Sequence, residues 1–438
     1  MSAQLLSIFA FAQGSGSKLE QAHYLHSKEE LEWLQLTKET NLVIKELVAK
    51  EKETIIAWRR QIHQHPELGF QEHKTGQLVG DLLEEFGYEV QRGIGGTGVV
   101  GILKPKGMEH KRAVALRADM DALTVTEENQ VPYASKNPGV MHACGHDGHT
   151  AMLLGAAKVL SQLRDQLSAP IVVLFQPAEE RLGGARAVLA DGFFHQYSIG
   201  EIFGLHLWPQ VPKGKVGLKV GPVMAGSIDF KLKVLGQQAH ASEPHNSIDT
   251  IVAGAAIVGA LQAISSRFIN PLESVVVSVG TFHAGEISNV IPGEALLSGT
   301  ARTASQNVYK QLPALLERVI ESTARTYGAR VELEIVEGYP VTASCAESVA
   351  TVEQVTREAL GEEGLFRLDS CRMASEDFSY YLQEVPGAYF FLGLGNERKL
   401  HQPTFDFDEE LLAVGAEILA RTALAASKRQ DSHGPCRN

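Results

Sequence analysis

The segment Ile171-Val172-Val173-Leu174-Phe175-Gln176-Pro177-Ala178-Glu179-Glu180 is an apolar, β-branched run that stops at two adjacent acids. An unbroken apolar run closed by a proline fits a strand buried on both faces, the kind that parallel sheets contain. Similar runs stand at Val99 to Leu103, Ala113 to Arg117 and Ile202 to Leu207. Between them lie amphipathic helical stretches. Strands alternating with helices predict an α/β fold with a mostly parallel sheet covered on both faces. Ligands of such a sheet gather beyond the carboxyl ends of its strands.

Near Val223 the texture changes. Ser227 to Leu235 alternates as a half-buried strand does, Ile248 to Ser266 reads as a long Ala-rich helix, Val275 to Val279 as a strand and Gln311 to Tyr327 as a helix. Strand, helix, strand, strand, helix, strand is the order of a ferredoxin-like α+β unit, inserted here at 223–338. The α/β texture returns after Tyr339, with a strand at Ala388 to Leu392 and a helix from Glu409, so residues 53–222 and 339–438 form one domain. Residues 1–52 read as an appended arm and lead-in helix.

The 438 residues exceed one ordinary core and fit two domains. A formal charge of -12, from 40 basic and 52 acidic residues, leaves no basic stripe for a phosphate backbone, so nucleic acid is not an expected partner. The four cysteines, Cys144, Cys345, Cys371 and Cys436, are far apart and read as mostly reduced thiols. No run approaches the roughly 18 apolar residues of a membrane span. Leu5 to Ala12 is short and lacks a basic stretch before it, so a cytoplasmic protein is expected, with export as the alternative.

The densest chemical signal is His142-Ala143-Cys144-Gly145-His146-Asp147-Gly148-His149. Thiolate, imidazole and carboxylate are ligands for Zn2+, Mn2+ or Co2+, and the glycines let a loop wrap an ion. Cys144 and His146, two apart, cannot share a helix face but can converge from a loop; the competing reading is a His-rich helix N-terminus. Glu179 and Glu180 leave a strand end in different directions, so one can ligate while the other moves protons. Taken alone, the pair also fits a solvated strand end. His206 ends the strand Ile202 to Leu207, where a hydrogen-bonded core histidine is the competing reading. His401 precedes Gln402-Pro403. Asp119 and Asp121 end a strand on one side, Asp121 as a carboxylate able to orient a ligand or cap a helix. In the inserted unit, His240, Asn289 and Arg302 lie on neighbouring loops, where oxyanion donors, a carboxylate clamp or plain turn roles are all open.

In order, these segments resemble the M20 family of metallopeptidases, in its amidohydrolase branch of hippurate hydrolases, aminoacylase-like enzymes and auxin-conjugate hydrolases. The resemblance runs from Trp58-Arg59-Arg60-Gln61-Ile62-His63 to about Ala425. Its further markers are Arg117-Ala118-Asp119-Met120-Asp121, the Cys144 loop, Gln176-Pro177-Ala178-Glu179-Glu180, Ser375-Glu376-Asp377-Phe378 and Leu400-His401-Gln402-Pro403. It implies two divalent metal ions held by Cys144, His146, Glu180, His206 and His401, with Cys144 bridging. It implies Glu179 as general base and Asp121 as supporting carboxylate. It further implies an inserted lid that dimerises the protein, His240 stabilising the oxyanion, and Asn289 with Arg302 on the substrate carboxylate. The expected activity is metal-dependent hydrolysis of N-acyl amino acids or related small amides, with a metal-activated water as nucleophile.

The chain departs from the family's wording at Arg181-Leu182, Gln237-Gln238, Glu243 and Ala374, which bears on substrate more than on metal. Three other readings stay open: a dipeptidase or aminopeptidase on the same scaffold, a metal-containing binding protein without chemistry, and a thiol redox protein centred on Cys144.

Overall fold

The computed structural model describes residues 28–180, 183–395 and 399–429. The chain divides into a unit that ends at Leu42 and a unit that begins at Val43. The first contributes the opening turns of the helix Lys28–Gln64, and the second carries both sheets.

The main sheet has eight strands in the order Glu89–Ile94, Gly98–Leu103, Ile171–Gln176, Ala113–Asp119, Ile199–Trp208, Gly387–Gly393, Val216–Leu218, Leu365–Arg367. Its centre is parallel, from Ile171–Gln176 across to Gly387–Gly393, and the antiparallel pairings lie toward the edges. All residues of Ile171–Gln176 are buried. Because successive side chains alternate, Ile171, Val173 and Phe175 enter one core while Val172 and Leu174 enter another. Truncating Phe175 to Ala costs about 3–5 kcal/mol on general grounds, because this core has no free face into which it can relax.

Helix His146–Gln162 runs under this sheet and packs against Glu410–Arg429. Fourteen of its seventeen residues are buried, so it is a central helix with no solvent face. Its start is set by Gly145, whose φ of 91° an L side chain rarely adopts.

The second sheet has the order Val275–Ala284, Glu294–Thr303, Gly226–Leu235, Arg330–Glu337, with every pairing antiparallel. In chain order this is 2-3-1-4, the ferredoxin-like arrangement expected from the sequence. Along Gly226–Leu235 the residues Phe230, Leu232 and Val234 point into the core while Asp229 and Lys231 are exposed. Helices Thr250–Ala263 and Gln306–Thr326 cover one face and complete a core separate from the other two. Asp249 starts the first of these helices by accepting from Ile251 N at 2.9 Å and Val252 N at 3.0 Å, a cap worth about 1 kcal/mol.

One expectation, on the cysteines, needs correction, and one helix bears on the membrane reading. Thr250–Phe268 is long and apolar enough to cross a membrane by length and composition only, with 28% of it buried. Its Ala and Gly residues kept it from reading as an apolar run, while Ile257, Leu261 and Ile264 fix one side onto the second sheet. Among the cysteines, Cys144 and Cys371 are free, but Cys345 is disulfide-bonded. Spacing along a chain does not report which thiols meet in space.

Candidate metal centre

The loop that precedes the central helix places Cys144 beside the carboxyl end of Ile199–Trp208. Cys144 Sγ lies 3.5 Å from His206 Nε2. His206 Nδ1 donates to Leu207 O at 2.7 Å, which leaves the lone pair of Nε2 facing the thiol. Burial pushes the His206 imidazole well below its usual range, so the ring is neutral.

His146 is pinned from behind. Its Nδ1 donates to Asp121 O at 2.9 Å and lies 3.2 Å from Asp121 Oδ1. Its Nε2 is buried without a hydrogen-bond partner. Burial works against charge on this ring, yet Asp119 and Cys144 raise it well above the ordinary imidazole range. Electron-rich groups therefore converge where Nε2 points.

On the far side, His401 Nε2 and Glu180 Oε1 are 3.0 Å apart, an ion-pair distance outside hydrogen-bond geometry. The neighbouring Cys144 thiol and Glu180 carboxylate push the His401 imidazole up to about 10. His401 sits at φ 63°, and its N–H donates to Ala143 O at 2.7 Å, which ties its turn to the Cys144 loop.

Ligand atoms of Cys144, His146 and His206 lie within 4.8 Å of one another, as do those of Cys144, Glu180 and His401, and those of His146, Glu179 and Glu180. Cys144 is common to the first two groups. The partnerless buried His146 Nε2 and Glu180 Oε1, with a thiol and three imidazoles of the preferred donor types, fit divalent metal ions.

Glu179 and Glu180 lie beyond the strand, which ends at Gln176, so the loop rather than strand alternation sets their directions. Glu180 turns to Cys144 and His401, whereas Glu179 also clusters with Glu376 and Asp377. Burial pushes the Glu179 carboxyl well above the usual range, and the charges of Glu376, Glu180 and Asp377 add to it. The loop that carries this pair is tightly built. Ala178 has φ 54°, and a Cβ on Gly184 would stand 1.7 Å from Pro177 O, so only glycine fits there.

Several buried groups support the cluster. Asp119 accepts from His149 Nδ1 at 2.6 Å and from Arg117 Nη1 at 2.6 Å. His149 Nε2 accepts from Leu207 N at 2.9 Å, so both its nitrogens are committed and it does not join the ligands. Arg117 also donates to Gln176, Glu376 and Asp377 at 2.8, 3.0 and 3.0 Å. Asp147 pairs with Arg59 at 2.6 Å and with His63 at 2.8 Å rather than with a metal. His142, pushed down to about 4 by burial, is a neutral core histidine. Of the histidines in that loop, only His146 enters the cluster.

The inserted unit contributes none of its expected residues to the cluster through a described contact. His240 is exposed; its Nδ1 accepts from Ser242 N at 3.2 Å, so the proton sits on Nε2 and the ring presents a donor. Asn289 O accepts from Ala241 N at 2.9 Å, and Arg302 Nη1 donates to Met373 O at 3.0 Å. Arg181 lies outside the described residues.

Sequence reasoning did not single out Arg117, Glu376, Tyr339 or Glu72. Arg117 and Glu376 stood inside quoted motifs, but their pairing spans 259 positions and no local pattern signals it. Glu72 accepts from Ala178 N at 2.8 Å, and Tyr339 donates to Glu179 O at 2.6 Å.

Comparison with known proteins gives a consistent picture. Residues 115–425 match the model described as peptidase family M20/M25/M40. The chain is 40% identical over 366 residues to a hippurate hydrolase of Campylobacter jejuni, which covers 84% of this chain and 94% of that protein. It is 45% identical over 298 residues to an N-acyl-L-amino acid amidohydrolase of Geobacillus stearothermophilus, 68% of this chain and 79% of that one. The crystal structure of the YXEP protein of Bacillus subtilis, a dinuclear metal-binding peptidase of the M20 family, superposes with a TM-score of 0.75. That pair is 33% identical, over 87% of this chain and 99% of the other.

Proposed function

This chain belongs to peptidase family M20/M25/M40, and from that premise we propose that it acts on the amide bond of N-acyl amino acids or closely related small conjugates. It is a metal-dependent amidohydrolase. The observation that carries the reading is the division between two adjacent carboxylates. Glu180 faces Cys144 and His401, and Glu179 is held in a buried pocket of acids beside His146. A purely structural metal site has no use for the second one.

In this reading Cys144, His146, Glu180, His206 and His401 would hold two divalent ions, Zn2+, Mn2+ or Co2+, Cys144 being the residue common to two of the ligand groups. Bound there, such ions supply a water of lowered pKa and polarise the amide carbonyl. Glu179 takes the proton of the attacking water on its carboxylate and passes it to the leaving nitrogen, a contribution of about 10² to 10⁴ in rate. Its buried, acid-rich surroundings raise its proton affinity, as a base that must later act as an acid requires. The Asp121 carboxylate lies 3.2 Å from His146 Nδ1 through Oδ1 and accepts from Glu180 N at 2.9 Å through Oδ2, so one carboxylate aligns two ligands.

Residues 223–338 act as a lid that joins two copies in a homodimer. Support comes from the uncovered side of the Thr250–Ala263 helix, where Ile251 and Val252 are 43% and 48% exposed. The sheet-edge strand Val275–Ala284 adds exposed Val276 and Phe282. An apolar helix face next to an open strand edge is a surface that a second copy covers. His240 then reaches a site from the lid, its Nε2 proton aimed at the tetrahedral oxyanion, while Asn289 and Arg302 take the substrate carboxylate.

Metal analysis, with a panel of N-acetyl and N-benzoyl amino acids beside dipeptides, each with and without chelator, tests this. Stoichiometric metal and chelator-sensitive release of free amino acid are expected. Turnover of dipeptides alone would move the assignment to a dipeptidase, and chelator-resistant hydrolysis would overturn it.

A further inference from the structure

The loop that carries Glu179 is fastened from several directions. From the main sheet side, Glu72 Oε1 accepts from Ala178 N at 2.8 Å, Asp121 Oδ2 from Glu180 N at 2.9 Å, and Asp377 Oδ2 from Ala185 N at 2.8 Å. The remaining fastening comes from elsewhere. Tyr339 Oη donates to Glu179 O at 2.6 Å and accepts from Gly183 N at 3.3 Å. One hydroxyl therefore bridges the backbone carbonyl of the base and the backbone N–H of Gly183.

Tyr339 stands where the chain leaves the second sheet to rejoin the first, just after strand Arg330–Glu337. The outgoing crossing, at Gly226 and Ser227, lies against it: Ser227 N donates to Tyr339 O at 2.9 Å, and Gly338 N donates to Ser227 O at 2.9 Å. The two crossings thus form one paired hinge. Gly338 O accepts from Tyr309 of the lid at 3.2 Å and from Tyr380 of the main sheet side at 3.1 Å. Any swing of the lid about these crossings moves the Tyr339 backbone, and its ring carries that motion to the Glu179 carbonyl.

We propose that Tyr339 is a positioning residue that couples the lid hinge to the general-base loop, so that lid attitude sets where the Glu179 carboxylate stands. This rests on the reading of Glu179 as base. Hinge residues that lie away from the chemistry and adjust it are a recognised way for closure to complete a site.

The test compares Tyr339→Phe with Tyr309→Phe and wild type in the full-length, metal-loaded protein. Tyr309→Phe also removes a hydroxyl at the hinge, but one that does not touch the loop. Tyr339→Phe is expected to lower kcat by about three- to ten-fold, the reach of one hydrogen bond, with KM little changed. Tyr309→Phe is expected to leave kcat as it is. Amide hydrogen exchange at Gly183 is expected to rise several-fold in Tyr339→Phe only, with the melting temperature unchanged. Equal kcat losses in both variants, or unaltered exchange at Gly183 in Tyr339→Phe, would overturn the coupling. The exchange readout does not depend on turnover, so a wild type that hydrolyses no N-acyl amino acid would count against the functional reading while the coupling is still decided.

Discussion

Asp119 and His240 belong to two halves of the candidate site that are built in opposite ways. Asp119 is 1% exposed and accepts hydrogen bonds from Arg117 and His149, and those partners are themselves committed to Gln176, Glu376, Asp377 and Leu207. His240 lies open to solvent on a two-residue strand, Ala239–His240, and hydrogen-bonds Ser242 two residues away. The first half is organised before any substrate arrives, so its dipoles need not reorient during reaction. The second half is held by little and is suited to arriving late, by closure or from a partner. In the proposed function the ligands and base belong mainly to the buried half, and the oxyanion and carboxylate contacts to the exposed one.

The largest expected effect strikes the buried half. Arg117→Met leaves the buried Asp119, Glu376 and Asp377 without their shared counter-charge and should cost about 3–5 kcal/mol, because breaking a buried pair strands the remaining charge. Denaturant unfolding measures it, and a loss under about 1 kcal/mol would show that this network does not organise the sheet edge.

The lid should behave in the reverse manner. His240→Ala should lower kcat by about 10² to 10³, the effect of one lost oxyanion donor, with melting temperature and metal content unchanged. A destabilised protein would mean that this residue is structural after all.

A third expectation concerns pH. Burial works against charge on His63, but Asp147 and Glu127 outweigh it and push the imidazole up to about 9. A raised folded-state pKa gives stability that is fully present below about pH 6.5 and lost as pH rises through 9, roughly 3 kcal/mol in all. The carboxyl of Asp147, held low against burial by Arg59 first and then by His63, shares that pairing, so its shift is not added. Unfolding free energies measured between pH 6 and 10 should fall in wild type and stay flatter in His63→Gln; parallel curves would remove His63 from the buried network.

The smallest effect expected is on affinity. Asp121→Asn should weaken metal binding by about 10- to 100-fold, since it loosens the His146 ring without removing a ligand. Competition with a chromophoric chelator reads this directly, and unchanged affinity would mean that the backbone carbonyl of Asp121 suffices.

Much of the buried half was legible in the sequence because its residues sit at ends of uniform apolar strands. Ile171 to Phe175 followed by Glu179 and Glu180, and Ile202 to Leu207 containing His206, locate the sheet edge by pattern alone. Asp119 and Asp121 both approach His146, Asp119 from the Nε2 side at 3.8 Å and Asp121 from the Nδ1 side at 3.2 Å. The Cys144 loop is ambiguous from residue types alone: His149, His142 and Asp147 look as ligand-like as His146, and tertiary partners tell them apart. Arg117 with Glu376, and Tyr339 with Glu179, are joined by folding across more than a hundred positions, beyond any periodicity. The lid helix was legible as a helix, but its exposed apolar side was not. Ile251 and Val252 look no different in sequence from the buried Ile257 and Leu261.

In the proposed function Glu179 carries the proton beside the metal-binding cluster. The direct measurement is hydrolysis of an N-acyl amino acid by Glu179→Gln, with metal content determined on the same sample. The prediction is wild-type metal content with turnover reduced by about 10² to 10⁴ or more. Near-normal kcat in the metal-loaded variant would contradict it.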